Sequence, residues 1–260
     1  MRIALGLEYE GAAFRGWQSQ ADGGGVQDAL EHALSAIAGG TIRAVAAGRT
    51  DAGVHATIQV AHFDTEAMRP ETAWVRGANA LLPQSIAVRW ALPIDPSFHA
   101  RFAATGRRYT YVLLDRAVRP ALYAGRVGWY HRPLAIEAMR AAAETLLGSH
   151  DFSAFRAAEC QAKSPVKRLD LLSVTRDEDM IRFEFHADAF LQHMVRNIVG
   201  ALVCVGDGRR PIDWLKELLE SRDRTRGAPT FAAAGLYLTG IDYPARWNLP
   251  STLVPLRVAP

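Results

Sequence analysis

The stretch Leu169-Asp170-Leu171-Leu172-Ser173-Val174-Thr175, then Arg176-Asp177-Glu178-Asp179, then Met180-Ile181-Arg182-Phe183-Glu184-Phe185-His186-Ala187, reads as two strands around a turn. The four charged residues between the two runs make a hairpin turn by composition, hence an antiparallel pair. Directly after it, Leu191, Met194, Val195, Ile198, Val199 and Leu202 recur at helical spacing within Ala189 to Val205. This is the strongest apolar stripe in the chain. Strands adjacent in sequence with helices interleaved point to an α+β fold with a largely antiparallel mixed sheet faced by helices.

Outward from the hairpin the pattern continues. A helix is expected from Pro211 to about Glu220 and a closing strand from Leu236 to Ile241. On the N-terminal side, a helix from about Leu134 to Leu147 stops at Gly148, and Gly106 to Leu114 alternates as a strand, with Tyr109 and Tyr111 on one face. Asp95 to Thr105 is a connection, and the division between halves is placed there, giving residues 1–105 and 106–260. In the first half, Ile3, Leu5, Leu7 and Tyr9 face one way and Glu8 and Glu10 the other, the pattern of a half-buried strand. Gly11 to Gly25 is a loop. Val26, Leu30, Ala33, Leu34 and Ile37 form a helix that Gly39-Gly40 ends. Strands over 41–46 and 57–65, a helix over 71–80 and a strand over 86–92 complete it. The similar element order predicts two similar halves.

The 260 residues are 49% apolar and 22% charged, the balance of a globular protein rather than a disordered one. Net charge is only +3, yet Lys occurs only at Lys163, Lys167 and Lys216, so 27 of the 30 basic residues are Arg. Arg suits bidentate phosphate contacts and base stacking. A GC-rich genome also enriches Arg together with Ala, and a pI near 9.0 is compatible with either reading. Cys160 and Cys204 are expected to be free thiols, with no Cys/His spacing for zinc. The longest apolar run, Ile198 to Val205, is too short for a membrane span, and the first residues enter a strand pattern without a signal-peptide cleavage site. A cytoplasmic protein without membrane contact is expected.

Between the strands over 41–46 and 57–65 lies Ala47-Gly48-Arg49-Thr50-Asp51-Ala52-Gly53-Val54-His55. Asp and Gly build turns for backbone reasons alone. The same residues also suit chemistry. The glycines let the chain bend and a substrate approach closely. A carboxylate beside Arg49 stays ionised and nucleophilic at neutral pH, and a loop between strands is where a scaffold presents such a group. No phosphate loop, dinucleotide fingerprint or zinc spacing accompanies it, so no cofactor and no metal are expected. Arg196 lies at the margin of the apolar stripe, three residues before Val199. It must either meet a buried carboxylate or extend to solvent. His55 and His193 read as structural hydrogen-bonders or catalysts. Arg107-Arg108 and Arg222, Arg224 and Arg226 read as phosphate contacts or a solvated basic face.

The loop resembles, residue for residue, the catalytic loop of the tRNA pseudouridine synthase A family. Further matches run in order: Tyr9-Glu10-Gly11, Gly16-Trp17-Gln18, Phe98-His99-Ala100-Arg101, Arg107-Arg108-Tyr109-Thr110-Tyr111, His193-Met194-Val195-Arg196-Asn197 and Gly235-Leu236-Tyr237-Leu238. Seven ordered segments cover nearly the whole chain. Thr230-Phe231-Ala232 departs from the family, where small residues and Pro are usual, and Lys167 stands where Arg is common.

The resemblance implies an isomerase that turns uridine into pseudouridine in tRNA, acting on uridines 38 to 40 of the anticodon stem-loop as a homodimer, from a catalytic cleft between the halves. It assigns Asp51 as the catalytic carboxylate and Arg49 to the space near the displaced nucleotide. It assigns Tyr109 to stack on the uracil, with relay of the C5 proton as a further role, and Arg196 to an ion pair with Asp51. Whether Asp51 attacks the sugar, adds to the base or removes a 2′ proton is open at this stage; each needs a charged carboxylate in a dry pocket. Two rivals keep the fold but change the activity. One is an RNA-binding module without catalysis. The other is an N-glycosidase that releases uracil, against which the lack of a second motif carboxylate argues.

Overall fold

The structure, a computed structural model, describes residues 1–256. Its contacts divide the chain into two compact units: residues 1–105 joined by those from Tyr237 onward, and Gly106–Leu236.

The first unit begins with β1 (Arg2–Tyr9), followed by α1 (Val26–Ala38), β2 (Val45–Ala46), β3 (His55–Asp64), a wide π-type turn over Ala73–Gly77 running into α2 (Ala78–Leu81), and β4 (Ile86–Ile94). β1 pairs antiparallel with both β3 and β4. It is therefore an interior strand, and the half-buried reading needs correction. Ile3, Leu5, Leu7 and Tyr9 are buried as expected, but Ala4 and Gly6 on the opposite face are buried too. Small residues there gave no apolar signal, although a covered face needs only to be free of charge.

Helix α1 ends where expected, with Gly39 left-handed at φ 74° and its N–H donating to the Ser35 carbonyl. The strand expected over 41–46 shrinks to two residues for a specific reason. The Ile42 N–H is taken by Ser35 Oγ and the Ala44 N–H by the buried Glu31 carboxylate, at 2.9 Å each. Those amides are unavailable to a sheet, so only Val45 and Ala46 reach β3.

The second unit holds β5 (Gly106–Asp115), β6 (Gly128–Tyr130), α3 (Ile136–Glu144), β7 (Gly148–Asp151), β8 (Val166–Asp177), β9 (Met180–Ala187), α4 (Met194–Gly206) and α5 (Trp214–Ser221). The hairpin is β8–β9, with Asp177 opposite Met180 and Glu178 left-handed at φ 52° in the turn. Strand order within the unit is β5-β9-β8-β7, antiparallel throughout, with β6 parallel on the far side of β5. Helix α4 starts five residues later than its apolar pattern. His193 at φ 63° precedes its first turn, and the chain from Ala189 up to it is not helical.

The last strand, β10 (Leu236–Asp242), corrects the expected division. The segment from 106 to the end does not stay together. β10 runs parallel to β3, with Tyr237 opposite His55 and Leu238 opposite Ala56. The chain thus returns to the first unit, where Tyr243 Oη donates to the Ala100 carbonyl at 2.7 Å. The fold class stands as expected: α+β, with mixed, mostly antiparallel pairing faced by helices.

Candidate active site

Asp51 sits in the loop between β2 and β3. The loop has no regular structure, yet distant segments fix its backbone on both sides. Upstream, the Ala47 N–H donates to the Val60 carbonyl at 2.8 Å, and Gln59 Nε2 donates to the Gly48 carbonyl at 2.7 Å. At the centre, the buried Thr50 hydroxyl meets Tyr9 Oη at 2.9 Å, and the Thr50 carbonyl accepts the Trp17 N–H at 3.0 Å. Downstream, Gly53 at φ 78° turns the chain, its N–H donates to the Phe14 carbonyl at 3.3 Å, and the Val54 N–H closes on the Asp51 carbonyl at 3.1 Å. Burial pushes the Tyr9 phenol up to about 12, so it stays protonated and available to the loop.

Two segments matched by resemblance acquire a physical reason here. A Cβ on Gly11 would lie 2.0 Å from the Val54 carbonyl oxygen, and one on Gly16, at φ 96°, would lie 2.6 Å from the Thr50 carbonyl oxygen. Only glycine lets the chain around residues 11 and 16 press against the loop from outside. Asp51 itself is half-buried, and Arg49, two residues away, is exposed. His55 is a structural hydrogen-bonder: its Nδ1 accepts the Gly11 N–H at 3.0 Å and its ring stacks on Tyr237 at 4.6 Å.

The other two expected residues belong to the second unit. Tyr109 on β5 is half-exposed, with the Phe190 ring edge-on at 5.0 Å and 83°. Tyr111, on the same strand face, is fully buried and its hydroxyl donates to the Ala232 carbonyl at 2.8 Å. Burial raises its phenol far above the usual range, while Arg196 nearby pulls the other way. One tyrosine is therefore open to a ligand and the other is core. Arg196 is the one residue of α4 that is not buried. Its Nε donates to the Phe231 carbonyl at 2.8 Å, and the Phe231 ring meets Tyr111 edge-on at 5.9 Å. The departure from the family at Phe231 thus supplies packing against Tyr111, while its backbone orients Arg196.

The remaining candidates separate. Arg224 is spent inside the fold, donating to Asn197 Oδ1 at 3.1 Å and Thr230 Oγ1 at 3.2 Å, while Arg222 lies 3.5 Å from Asp151. Arg107 donates to the Asp188 carbonyl. Both cysteines are free and buried. Among the described residues, no three His, Cys, Asp or Glu side chains gather as a metal site, and no helix is long and apolar enough to cross a membrane. Tyr9, Thr50 and Gln59 carry the loop without having been singled out for that role. Gln59, a fully buried amide inside an apolar strand, was the one available signal.

Comparison with known proteins identifies relatives over nearly the whole chain. The family model described as tRNA pseudouridine synthase matches residues 7–103 and 142–244. A Thiobacillus denitrificans protein named tRNA pseudouridine synthase A is 61% identical over 252 residues, covering 97% of each chain. Proteins of the same name from Dechloromonas aromatica and Chromobacterium violaceum are each 59% identical, over 96% of this chain and 95% and 96% of their own. This chain belongs to the tRNA pseudouridine synthase family, whose members isomerise uridine to pseudouridine.

Proposed function

We propose that this chain isomerises uridine to pseudouridine in the anticodon stem-loop of tRNA, with Asp51 as the nucleophile. The observation that carries the reading is the Asp51 loop: a half-buried carboxylate on irregular backbone that Tyr9, Gln59 and the segments at Gly11 and Gly16 hold in one conformation. Such pre-organisation suits a group that must meet a reacting carbon at a fixed position.

In the reaction the N1–C1′ bond breaks, the uracil turns over, and C5 bonds to C1′. The C5 proton leaves and N1 gains one, so the atoms balance without an oxidant or a hydrolytic water. The base leaves its stack to be reached. Arg49 and Arg196 act with Asp51, Arg196 as its counter-ion, and Tyr109 offers its half-exposed ring to the uracil. The enzyme works as a cytoplasmic homodimer.

The test is release of tritium from 5-tritiated uridine in a tRNA transcript, with the mass of the RNA chain otherwise unchanged. Asp51→Asn binds the transcript and releases none. Free uracil in solution identifies a glycosidase instead, and unchanged behaviour of Asp51→Asn identifies a binding module.

A further inference from the structure

In the first unit, between β4 and the start of β5, the chain over residues 95–102 displays the most exposed Phe or Trp side chain among the described residues. Phe102 is 76% exposed. An isolated exposed apolar residue is ordinary. Here the ring is held in place from several directions. The neighbouring His99 ring lies nearly parallel to it, 4.2 Å between centroids at 30°. His99 Nδ1 accepts the N–H groups of Arg101 and Phe102 at 3.2 and 3.3 Å, which locks the imidazole to the backbone that carries Phe102. His99 is kept neutral, its pKa lowered by burial and then by Arg2, as an accepting Nδ1 requires.

Beneath the ring pair the loop is pinned further. Arg2 Nη1 donates to the Pro96 and Phe98 carbonyls at 2.6 and 2.7 Å, and the Ala100 N–H donates to His62 Nδ1 at 3.2 Å. Phe98 is fully buried. On the surface, the Arg101 guanidinium carbon lies 5.8 Å from the Phe102 ring centroid. An exposed aromatic ring backed by a stacked imidazole, with a guanidinium over it that can turn to an anion, is the chemistry that receives an unpaired nucleobase and its phosphate. A protein partner would want a wider apolar patch, and of the other exposed residues of this stretch, Asp95, Pro96, Ser97 and Arg101, only Pro96 is apolar.

We propose that Phe102 is a stacking site for an unpaired base of the RNA substrate, with Arg101 meeting the adjoining phosphate. The inference rests on the reading of tRNA as substrate. Binding of a labelled, unmodified tRNA transcript to the full chain tests it, alongside light scattering and unfolding midpoints for each variant. Phe102→Ala weakens binding about tenfold, Phe102→Leu does the same, and Phe102→Trp restores it. Turnover at saturating tRNA and the unfolding midpoint stay at wild-type values in all three. Arg101→Gln lowers the salt dependence of binding by roughly one ion.

The proposal is overturned if Phe102→Ala binds like wild type. It is also overturned if Phe102→Leu does, which makes the site merely apolar, or if Phe102→Ala changes the molecular mass, which makes it a contact between copies. Failure of the isomerase reading looks different: the wild-type chain then binds tRNA but releases no tritium.

Discussion

The β8–β9 hairpin and the Asp51 loop are both short excursions between strands, but they are built in opposite ways. The hairpin is local: its turn spans Glu178 and Asp179, and the pairings from Asp177–Met180 to Leu171–His186 follow by counting, up to a bulge that sets Leu169 opposite Ala187. The Asp51 loop is assembled from afar. Its contacts come from Tyr9, Phe14, Trp17, Gln59 and Val60. A local element tolerates change because each residue answers to its neighbours. An assembled element concentrates its sensitivity in the few atoms that touch it.

The sharpest test of that contrast is Gly11→Ala. The new Cβ meets backbone at 2.0 Å rather than a yielding side chain. We expect a loss on the order of 3 kcal/mol in urea unfolding, with turnover abolished. Leu171→Ala in the hairpin, at a position 39% exposed, is expected to cost less than roughly 0.5 kcal/mol. Equal costs would break the comparison.

Next in size is a pH effect on the other assembled loop, residues 95–102. Burial first, then Arg2 and His99, lower the His62 pKa to about 4 from the usual 6.5. Above pH 6.5 the ring is neutral folded and unfolded, and its contribution is complete. As pH falls from 6.5 toward 4 only the unfolded chain takes up the proton, so stability falls, by on the order of 2 kcal/mol. His62→Gln, which keeps an acceptor for the Ala100 N–H, flattens that part of the stability–pH curve.

Tyr9→Phe is smaller. It leaves the buried Thr50 hydroxyl without its 2.9 Å partner, at a cost of about 1–2 kcal/mol. If the hydroxyl positions the loop, kcat falls while KM holds. An equal rise in KM would make Tyr9 a general stability residue. The smallest effect is a gain: Glu178→Gly relieves a left-handed non-glycine residue and stabilises by roughly 0.5–1 kcal/mol in thermal unfolding.

The same contrast explains what was legible in the sequence. The hairpin, α1 with its Gly39 stop, and the apolar body of α4 were all readable, because period and punctuation are local properties. The proposed site residues Asp51, Arg49, Tyr109 and Arg196 rest on the resemblance, since a lone Asp in a glycine-bearing loop is indistinguishable from a turn. The loop's supports were not foreseen, because nothing local relates Tyr9 to Thr50 across 41 positions. The return of β10 was missed for the same reason. Its strand pattern was plain, but its partner β3 lies far upstream in the chain.

That return has a consequence for how the protein is made. β3 and the His55 ring emerge from the ribosome long before the strand and the Tyr237 ring that cover them. The whole of Gly106–Leu236 is produced in between, so the unit bearing Asp51 waits, with an unpaired sheet edge, while the other is completed. A nascent chain halted near residue 236 therefore carries a finished second unit and an exposed β3. Premature termination there is a hazard of aggregation, quite apart from the lost activity.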